Sequence, residues 1–301
     1  MRRRLIALTA VLVLGALSGC AGQPAGTDGD LGDDWAMLPA AKVPEPVLGE
    51  CHNSGGYKDQ DVSSWDGVAP VVPCDGPHQV EIVAVGKVPA ELAKEAKRPD
   101  RDKFAALYAQ CEEAAAKYLG GDWHAGRLYL YLQPPTYAQW LGGLRTYHCD
   151  VAVMGADGHK IESFDKTFKG AVAPGGPLAN GCSLTSGATN DTLFAQADPV
   201  ACTQPHDLEY AGYVTAPADA AFPNDTAANE KLFGKACEAK MLEYTGMSRT
   251  AYNRQRDVYY IWWRTAGSTG WKAGDHSSRC FFFLHGRKLS KSVKGIGDAT
   301  L

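Results

Sequence analysis

The stretch "CDGPHQVE" at residues 74–81 has a counterpart, "CTQPHDLE", at residues 202–209. Both contain a Cys, a Pro-His pair and a Glu at the same spacing, and a run typical of a β-strand follows each of them, VEIVAVG in the first and LEYAGYV in the second. The β-branched residues predict that each Glu lies in a strand. Because residues three apart in a strand point to opposite faces, His78 and Glu81 are not expected to converge on one metal ion.

The repetition of this motif favours architecture over chemistry, since a duplicated fold must be rebuilt in each copy whereas an active site need not be. We expect the prolines to fix the entry to each strand and the histidines to hydrogen-bond loop backbone. Each Glu should meet backbone amides or an arginine, Arg145 or Arg279. A ligand-binding role stays open for the four polar residues, which are His78, Glu81, His206 and Glu209.

The cysteines extend the match beyond the motif. Copy one contains Cys51, Cys74, Cys111 and Cys149, and copy two contains Cys182, Cys202, Cys237 and Cys280. An even number of cysteines in an exported chain favours disulfides, and confining the bonds within each copy leaves nine arrangements. We favour the pairs Cys51–Cys74, Cys111–Cys149, Cys182–Cys202 and Cys237–Cys280. No CxxC occurs, which argues against a zinc ribbon or a thioredoxin-like site.

Each copy has the same predicted order of elements: a strand, a helix, and a hairpin whose loop carries a Trp. The helical stretches begin near Asp100 or Asp102 in copy one and near Asn224 or Asp225 in copy two, and they end at Gly120 and Gly246. From Leu128 to Val153 the copies align at a constant offset of 131. The predicted fold class is α+β, with two tandem disulfide-stapled modules, each a small mostly antiparallel sheet with one packed helix.

The N-terminus reads as an export signal. Three arginines precede an apolar run from Leu5 to Leu17, and Leu17-Ser18-Gly19-Cys20 is similar to a bacterial lipobox. The run is too short to span a bilayer, which needs about 20 residues. We therefore expect cleavage before Cys20, lipidation of that residue, and a lipid-anchored protein on the extracytoplasmic face of the cell membrane.

Composition places further limits on function. Removing the three signal arginines leaves 27 basic and 34 acidic residues, a net charge of −7, so nucleic acid is not an expected partner. The predicted segments are a signal peptide (1–19), a flexible acidic tether (20–46), module 1 (47–168), a linker (169–180), module 2 (181–290) and a C-terminal tail (291–301).

Catalytic motifs are missing from the chain: there is no GxSxG, HExxH, P-loop or complete dinucleotide-binding pattern. We predict no catalytic residues, no metal and no cofactor. The aromatic run of copy two supplies the remaining candidate binding residues, Tyr260, Trp262 and Trp263. Such side chains can stack on a sugar ring or a peptide, but core and inter-module packing is the better explanation.

The patterns "GECHN…VVPCDGPHQVEIVAVG…CEEAAAKYLG" and "GCSL…VACTQPHDLEYAGYV…CEAKMLEYTG…W…GD…RC" resemble the Septum formation domain of actinobacterial envelope proteins, in two tandem copies. Copy one departs from the "GD" ending, since it has Gly143-Leu144. The resemblance implies a link to division or the cell envelope and carries no catalytic residues with it.

These observations together predict a non-enzymatic binding or scaffold lipoprotein of the cell envelope, linked to septum formation. Its partners would be the membrane, through the lipid, and envelope proteins or peptidoglycan. Two alternatives remain open. One is an envelope hydrolase or metal-dependent enzyme that uses the Pro-His-x-x-Glu motifs, and the other is a solute-binding lipoprotein with a cleft between its modules.

Overall fold

The computed structural model describes residues 43–53, 70–189, 193–299 and 301, which belong to one compact unit, Val43–Leu301. This unit contains two antiparallel sheets, and we call the part built on the first sheet module 1 and the part built on the second module 2. The predicted signal peptide, Cys20 and most of the predicted tether lie outside the described residues. None of the described helices is long and apolar enough to cross a membrane.

Module 1 carries a sheet in the order β2-β1-β3-β5-β4, with β6 paired to β5. Its strands are β1 Cys51–His52, β2 Val71–Val72, β3 Val80–Lys87, β4 Leu128–Gln133, β5 Thr146–Met154 and β6 Ile161–Glu162. Its helices are α1 Ala90–Ala93, α2 Tyr108–Leu119 and α3 Tyr137–Leu141, with 3₁₀ segments at Arg101–Leu107 and Trp123–Ala125.

Module 2 repeats this plan with a sheet in the order β10-β11-β9-β7-β8. Its strands are β7 Cys182–Ser186, β8 Gln196–Val200, β9 Leu208–Thr215, β10 Val258–Arg264 and β11 Ser277–Leu284. Its helices are α4 Thr226–Asn229, α5 Lys235–Thr245, α6 Arg249–Arg254 and α7 Ser268–Ala273, with a π-type turn at Glu230–Gly234. The predicted α+β class is confirmed.

The long helix of each module ends as predicted, but the starts differ. Gly120 and Gly246 terminate α2 and α5 in the left-handed conformation that glycine adopts without steric cost. In module 2, Asp225 caps the helical stretch, because its carboxylate accepts from the backbone N–H of Ala228. In module 1 the stretch after Asp100 is 3₁₀, and the α-helix begins only at Tyr108.

The four predicted disulfides are confirmed. Cys51–Cys74 and Cys182–Cys202 tie each entry segment to the loop before the long first strand, whereas Cys111–Cys149 and Cys237–Cys280 fasten the long helix to the sheet, with Cα–Cα distances of 5.0–5.4 Å. Each helix-to-sheet bond lies in the buried core between the two layers.

Residues that the sequence analysis assigned to a linker and a tail contribute to the two cores. Val172 and Leu178 are buried in the cluster between α2 and sheet 1. Val293 is buried with residues of α5 and sheet 2, and Ile296 packs against the same cluster. Each module is therefore closed by the segment that follows its last long strand.

The predicted constant offset of 131 is wrong in the first hairpin strand. In module 1, Leu128 of β4 pairs with Val153 of β5. The counterpart of Val153 in module 2 is Leu284, and Leu284 pairs with Val258. Val258 is thus the equivalent of Leu128, and one extra residue lies between β10 and α7. The offset of 131 predicts that Tyr260 and Trp262 are the counterparts of Tyr129 and Tyr131. Because side chains alternate along a strand, the shift of one residue places them instead at the positions of Leu130 and Leu132.

Candidate functional site

In each module the repeated motif gathers a sulfur, an imidazole and a carboxylate in the interior. The clusters are Cys51, His78 and Glu81 in module 1 and Cys182, His206 and Glu209 in module 2, each with its polar atoms within 4.8 Å of one another. The prediction that His and Glu point apart is therefore wrong. Strands β3 and β9 begin at Val80 and Leu208, so each His precedes its strand and escapes the alternation that the prediction assumed.

The imidazoles also confirm one prediction, because each meets a loop carbonyl. Nδ1 of His206 lies 2.7 Å from the Gln204 carbonyl, and Nε2 lies 2.9 Å from Oε1 of Glu209. A carbonyl only accepts, so Nδ1 carries a proton, and Nε2 can face a carboxylate oxygen at this distance only with a second proton between them. His206 and Glu209 therefore share a proton. In module 1, Nδ1 of His78 likewise lies 2.8 Å from the Gly76 carbonyl, but its Nε2, which is 3.2 Å from Oε1 of Glu81, makes no hydrogen bond to any described residue.

The two carboxylates differ in how completely they are satisfied. Glu209 accepts further hydrogen bonds from the Val293 amide at 2.9 Å and from the Tyr244 and Ser292 hydroxyls at 2.7 Å each. Burial raises the pKa of Tyr244 and the Glu209 charge adds to this effect, so the phenol remains a donor. Glu81 accepts from the Phe168 amide at 3.0 Å, but its Oε2 has no direct hydrogen-bond partner among the described residues.

These clusters suit structure better than catalysis or metal binding. All four His and Glu side chains are fully buried, and neither glutamate forms an ion pair with Arg145 or Arg279 within the described structure. Each sulfur is bonded to Cys74 or Cys202 and cannot serve as a thiolate ligand. A metal would be left with one imidazole nitrogen and one carboxylate, which already hold each other. The residues therefore do not fit a metal centre.

The segments that complete these clusters were missed from the sequence. Each His forms an isolated β-bridge, His78 with Phe164 and His206 with Leu289. Four residues after each bridge partner, a backbone amide donates to the Glu of the cluster, from Phe168 to Glu81 and from Val293 to Glu209. The signal was present as a further repeat, "FDKTFKG" at residues 164–170 and "LSKSVKG" at residues 289–295.

A second polar group lies where the modules meet. Arg279 of β11 is fully buried and donates from Nε to the His124 carbonyl at 2.9 Å and from Nη2 to the Leu128 carbonyl at 2.6 Å. Burial lowers the pKa of Arg279, and among the described residues its hydrogen-bond acceptors are the two module 1 carbonyls and the Met154 sulfur. Arg279 therefore joins the two modules. It does not pair with Glu209, which was one of the two kinds of partner that the sequence predicted for that residue.

His124 stacks on Tyr213 of module 2 with ring centroids 3.8 Å apart, and its Nδ1 lies 2.6 Å from Asp122. Burial raises the pKa of Asp122, but hydrogen bonds from the His124 side chain and backbone outweigh burial and hold it at about 2. Asp122 is therefore ionised at neutral pH. Glu112 lies 3.8 Å from the other ring nitrogen, and burial raises its pKa above the usual range.

Beside this group a cleft of about 550 Å³ separates the modules. Its walls are mainly small side chains of the 3₁₀ segment and α2 on one side and of the region after β9 on the other. The polar groups that face it include Asp102, Glu112, Lys272 and His276. His276 stacks on Trp271 at 4.3 Å, and its Nε2 lies 3.0 Å from the Trp271 carbonyl.

The aromatic candidates of β10 lie on both faces of the strand. Tyr260 and Trp262 face the helical side and donate to the two carboxylate oxygens of Glu230, at 2.6 and 2.8 Å. Trp263 faces the other way and packs directly on Gly158 of module 1, where a Cβ would overlap its ring. Packing between modules, the favoured explanation, therefore accounts for Trp263, while Tyr260 and Trp262 remain half-buried at the edge of sheet 2.

Comparison with known proteins adds the family. A family model described as Septum formation matches residues 49–280, which is most of the chain. No curated protein and no solved structure gives a significant match. The matched range begins just before the first cysteine of module 1 and ends at Cys280, so it contains all four disulfides and both Cys-His-Glu clusters. The chain belongs to the Septum formation family.

Proposed function

We propose that this protein is a lipid-anchored binding or scaffold protein on the extracytoplasmic face of the cell membrane, which holds envelope components together during septum formation and catalyses no reaction. The family supports the connection with septum formation at the envelope. The lipobox-like sequence before Cys20 supports the anchor, and four disulfides are typical of an oxidising compartment outside the cytoplasm.

The burial of the repeated motif is the observation on which this proposal depends. The Pro-His-x-x-Glu motif is the strongest catalytic candidate in the sequence, yet its His and Glu side chains have no exposed surface in either module. Their hydrogen bonds close each module around its last segment. A substrate would have to displace this core to reach them, so the motif supports folding and leaves recognition to the surface.

The anchor is tested by cell fractionation. The wild-type chain should be found with membranes and carry a thioether-linked diacylglycerol on Cys20, and a Cys20→Ala variant should lose this mass. A matched Ser18→Ala variant, which keeps the cysteine, should stay lipidated. An unmodified Cys20 in wild-type protein would contradict the anchor.

The scaffold role is tested by crosslinking in intact cells, followed by purification from solubilised envelope. We expect septal or peptidoglycan-linked proteins to be recovered with the wild-type chain. Metal analysis of the same purified protein addresses the enzymatic alternative. Stoichiometric zinc, lost in a His206→Phe variant that still folds, would overturn the non-enzymatic proposal.

The cleft favours a second candidate function, the binding of a small envelope solute. Its volume of about 550 Å³ lies within the roughly 300–1,000 Å³ of ordinary ligand pockets, and carboxylates, a lysine and a stacked imidazole border its apolar walls. Ala106 lies in this lining and is exposed. An Ala106→Trp substitution should fill the cleft without changing the core.

A thermal-shift screen with soluble peptidoglycan fragments tests this candidate, because a ligand that binds only the folded state raises the melting temperature. The shift should disappear in Ala106→Trp and persist in Ala96→Trp, an exposed alanine that does not line the cleft. Equal shifts in both variants would place binding elsewhere.

A further inference from the structure

The contact between the two modules places helix α7 of module 2 against the outer strand of module 1. Thr269 and Ala273 face Leu130 and Leu132 of β4 across a small hollow. The glycine that ends α7, Gly274, lies so close to module 1 that a Cβ on it would be 2.7 Å from the Tyr108 Cβ. All six residues of β4 are buried although β4 is an edge strand of its sheet, and three of them, Leu128, Leu130 and Leu132, lie in the core of module 1.

Module 1 has the same helix, but there it is exposed. Helix α3 corresponds to α7, and Gly143 corresponds to Gly274, yet a Cβ on Gly143 would meet nothing within 4 Å. Two large apolar side chains on α3 face solvent, Tyr137 at 61% and Leu141 at 81% exposure. These are unusually high values for such residues, and exposed apolar groups that lie together mark interaction surfaces.

A third exposed apolar residue of module 1 occupies the position of an interface residue of module 2. Val85 pairs with His148 in module 1 just as Tyr213 pairs with Arg279 in module 2, so Val85 is the counterpart of Tyr213. Tyr213 is an interface residue, stacked on His124, whereas Val85 is 38% exposed. We call the exposed side of α3 and its C-terminal end the α3 face, and it consists of Tyr137, Ala138, Leu141 and Gly143.

Module 2 contains the other half of the same contact in β10, which is also an edge strand of its sheet. By strand register, Val258, Tyr260 and Trp262 of β10 are the counterparts of Leu128, Leu130 and Leu132 of β4. The backbone groups of these three residues point away from β11, because Asp257 bonds inward to His285 and the direction alternates along the strand. Within the described part of the chain these outward groups have no backbone partner. We call this surface the β10 edge.

We propose that the α3 face of one copy of the chain docks on the β10 edge of a second copy and continues the contact that joins the two modules within each chain. Both surfaces are copies of halves of one buried interface, and among the described residues neither receives the matching half. Such a contact is heterologous, so it leaves one α3 face and one β10 edge available and can extend into a row of molecules.

The contact between chains should be weaker than the one within the chain. Arg279, which donates to the β4 carbonyl of Leu128, is replaced in module 1 by His148, and that imidazole is held by Asp150 at 2.6 Å. The docking therefore lacks the buried guanidinium and depends on apolar contact and the strand edge. We expect reversible association that increases with protein concentration.

Sedimentation velocity of the full chain in density-matched detergent tests this proposal, because bound detergent then adds no apparent mass. The wild-type sedimentation coefficient should rise with concentration. Ala138→Arg blocks the α3 face and Trp262→Ala removes the aromatic centre of the β10 edge, so each should weaken association by roughly tenfold or more. Leu193→Arg, at an exposed residue outside both surfaces, should behave as wild type.

Mixing the two interface variants gives the decisive result. The Ala138→Arg chain keeps its β10 edge and the Trp262→Ala chain keeps its α3 face, so the mixture should form a one-to-one dimer that grows no further. Association that survives in both variants, or a mixture that stays monomeric while wild type associates, would overturn the proposal. A monomeric wild type that binds lipid vesicles through Leu141 would overturn it as well, in favour of a membrane-docking surface. Unchanged circular dichroism and melting temperature verify that each variant is folded.

Discussion

Replacing Glu209 by Ala should destabilise the folded protein by about 3–5 kcal/mol, the cost of breaking a buried charge pair. Glu209 is fully buried and holds a proton in common with His206 at 2.9 Å. Its other donors are the Val293 amide and the hydroxyls of Tyr244 and Ser292. Each buried donor left without an acceptor costs about 1–3 kcal/mol, but the two hydroxyls can rotate, so the total stays below the sum.

Urea unfolding with the disulfides intact, followed by tryptophan fluorescence, measures this change. Glu243→Ala is the matched control, since Glu243 is exposed and pairs with Lys240 on the surface, and it should alter stability by no more than about 1 kcal/mol. Glu81→Ala should cost at least roughly 1.5 kcal/mol less than Glu209→Ala, because Glu81 Oε2 receives no hydroxyl. A Glu209→Ala protein as stable as Glu243→Ala would refute the structural role of the cluster.

Three further predictions follow from other contacts. Replacing both Cys237 and Cys280 by Ala opens a loop with a sequence separation of 43 and should lower the free energy of unfolding by about 4 kcal/mol, as measured by urea titration. The pKa of Asp122 is about 2 in the folded protein, below its ordinary value of 3.8. Ionised Asp122 therefore stabilises the fold at pH values above 3.8, and this stabilisation is lost as the pH falls towards 2. Asp122→Asn should therefore flatten the acid limb of thermal stability over this range. Arg279→Met should leave two buried module 1 carbonyls unsatisfied and cost about 3 kcal/mol, whereas Arg287→Met, at an exposed ion pair, should be nearly neutral.

The sequence was sufficient for the modules and their disulfides because these features are local and repeated. Cysteine spacing limited the pairings, and runs of β-branched and aromatic residues indicated β3, β9 and the two strands of each hairpin. The strands of two residues and the short helices α3 and α7 carry too little periodicity to be predicted. Their positions depend on tertiary contacts, such as the hydrogen bond from Trp140 Nε1 to the Glu95 carbonyl.

The main errors came from single-residue effects. The His-Glu pairs were expected to separate because His78 was treated as a strand residue, whereas the strand begins two positions later. One additional residue before α7 then inverted the predicted faces of β10. In both cases the side-chain direction changes completely with a shift of one or two residues, and pattern matching does not fix element boundaries that finely.

The comparison of the modules indicates where recognition should be sought. The features present in both modules would be needed by any copy of the fold, and they are the disulfides, the buried His-Glu pairs, and the closing segments with their buried Phe168 and Val293. Features that differ lie at the boundary and the exposed ends. Asp275, for example, accepts from Thr265 and Ser277 in a buried polar network, whereas apolar Leu144 occupies its place in module 1.

The residue that covers the tryptophan shared by both modules, Trp140 in module 1 and Trp271 in module 2, also differs between them. Arg145 lies over the Trp140 ring and donates to three carbonyls of its own module, while its counterpart His276 stacks on Trp271 and borders the cleft. Folding alone requires only that something cover the tryptophan, and an arginine meets that need in module 1. The His276 imidazole adds a polar group to the cleft between the modules. A ligand that uses His276 would therefore distinguish module 2 from module 1, and recognition in the cleft should be sensitive to His276→Phe but not to Arg145→Lys.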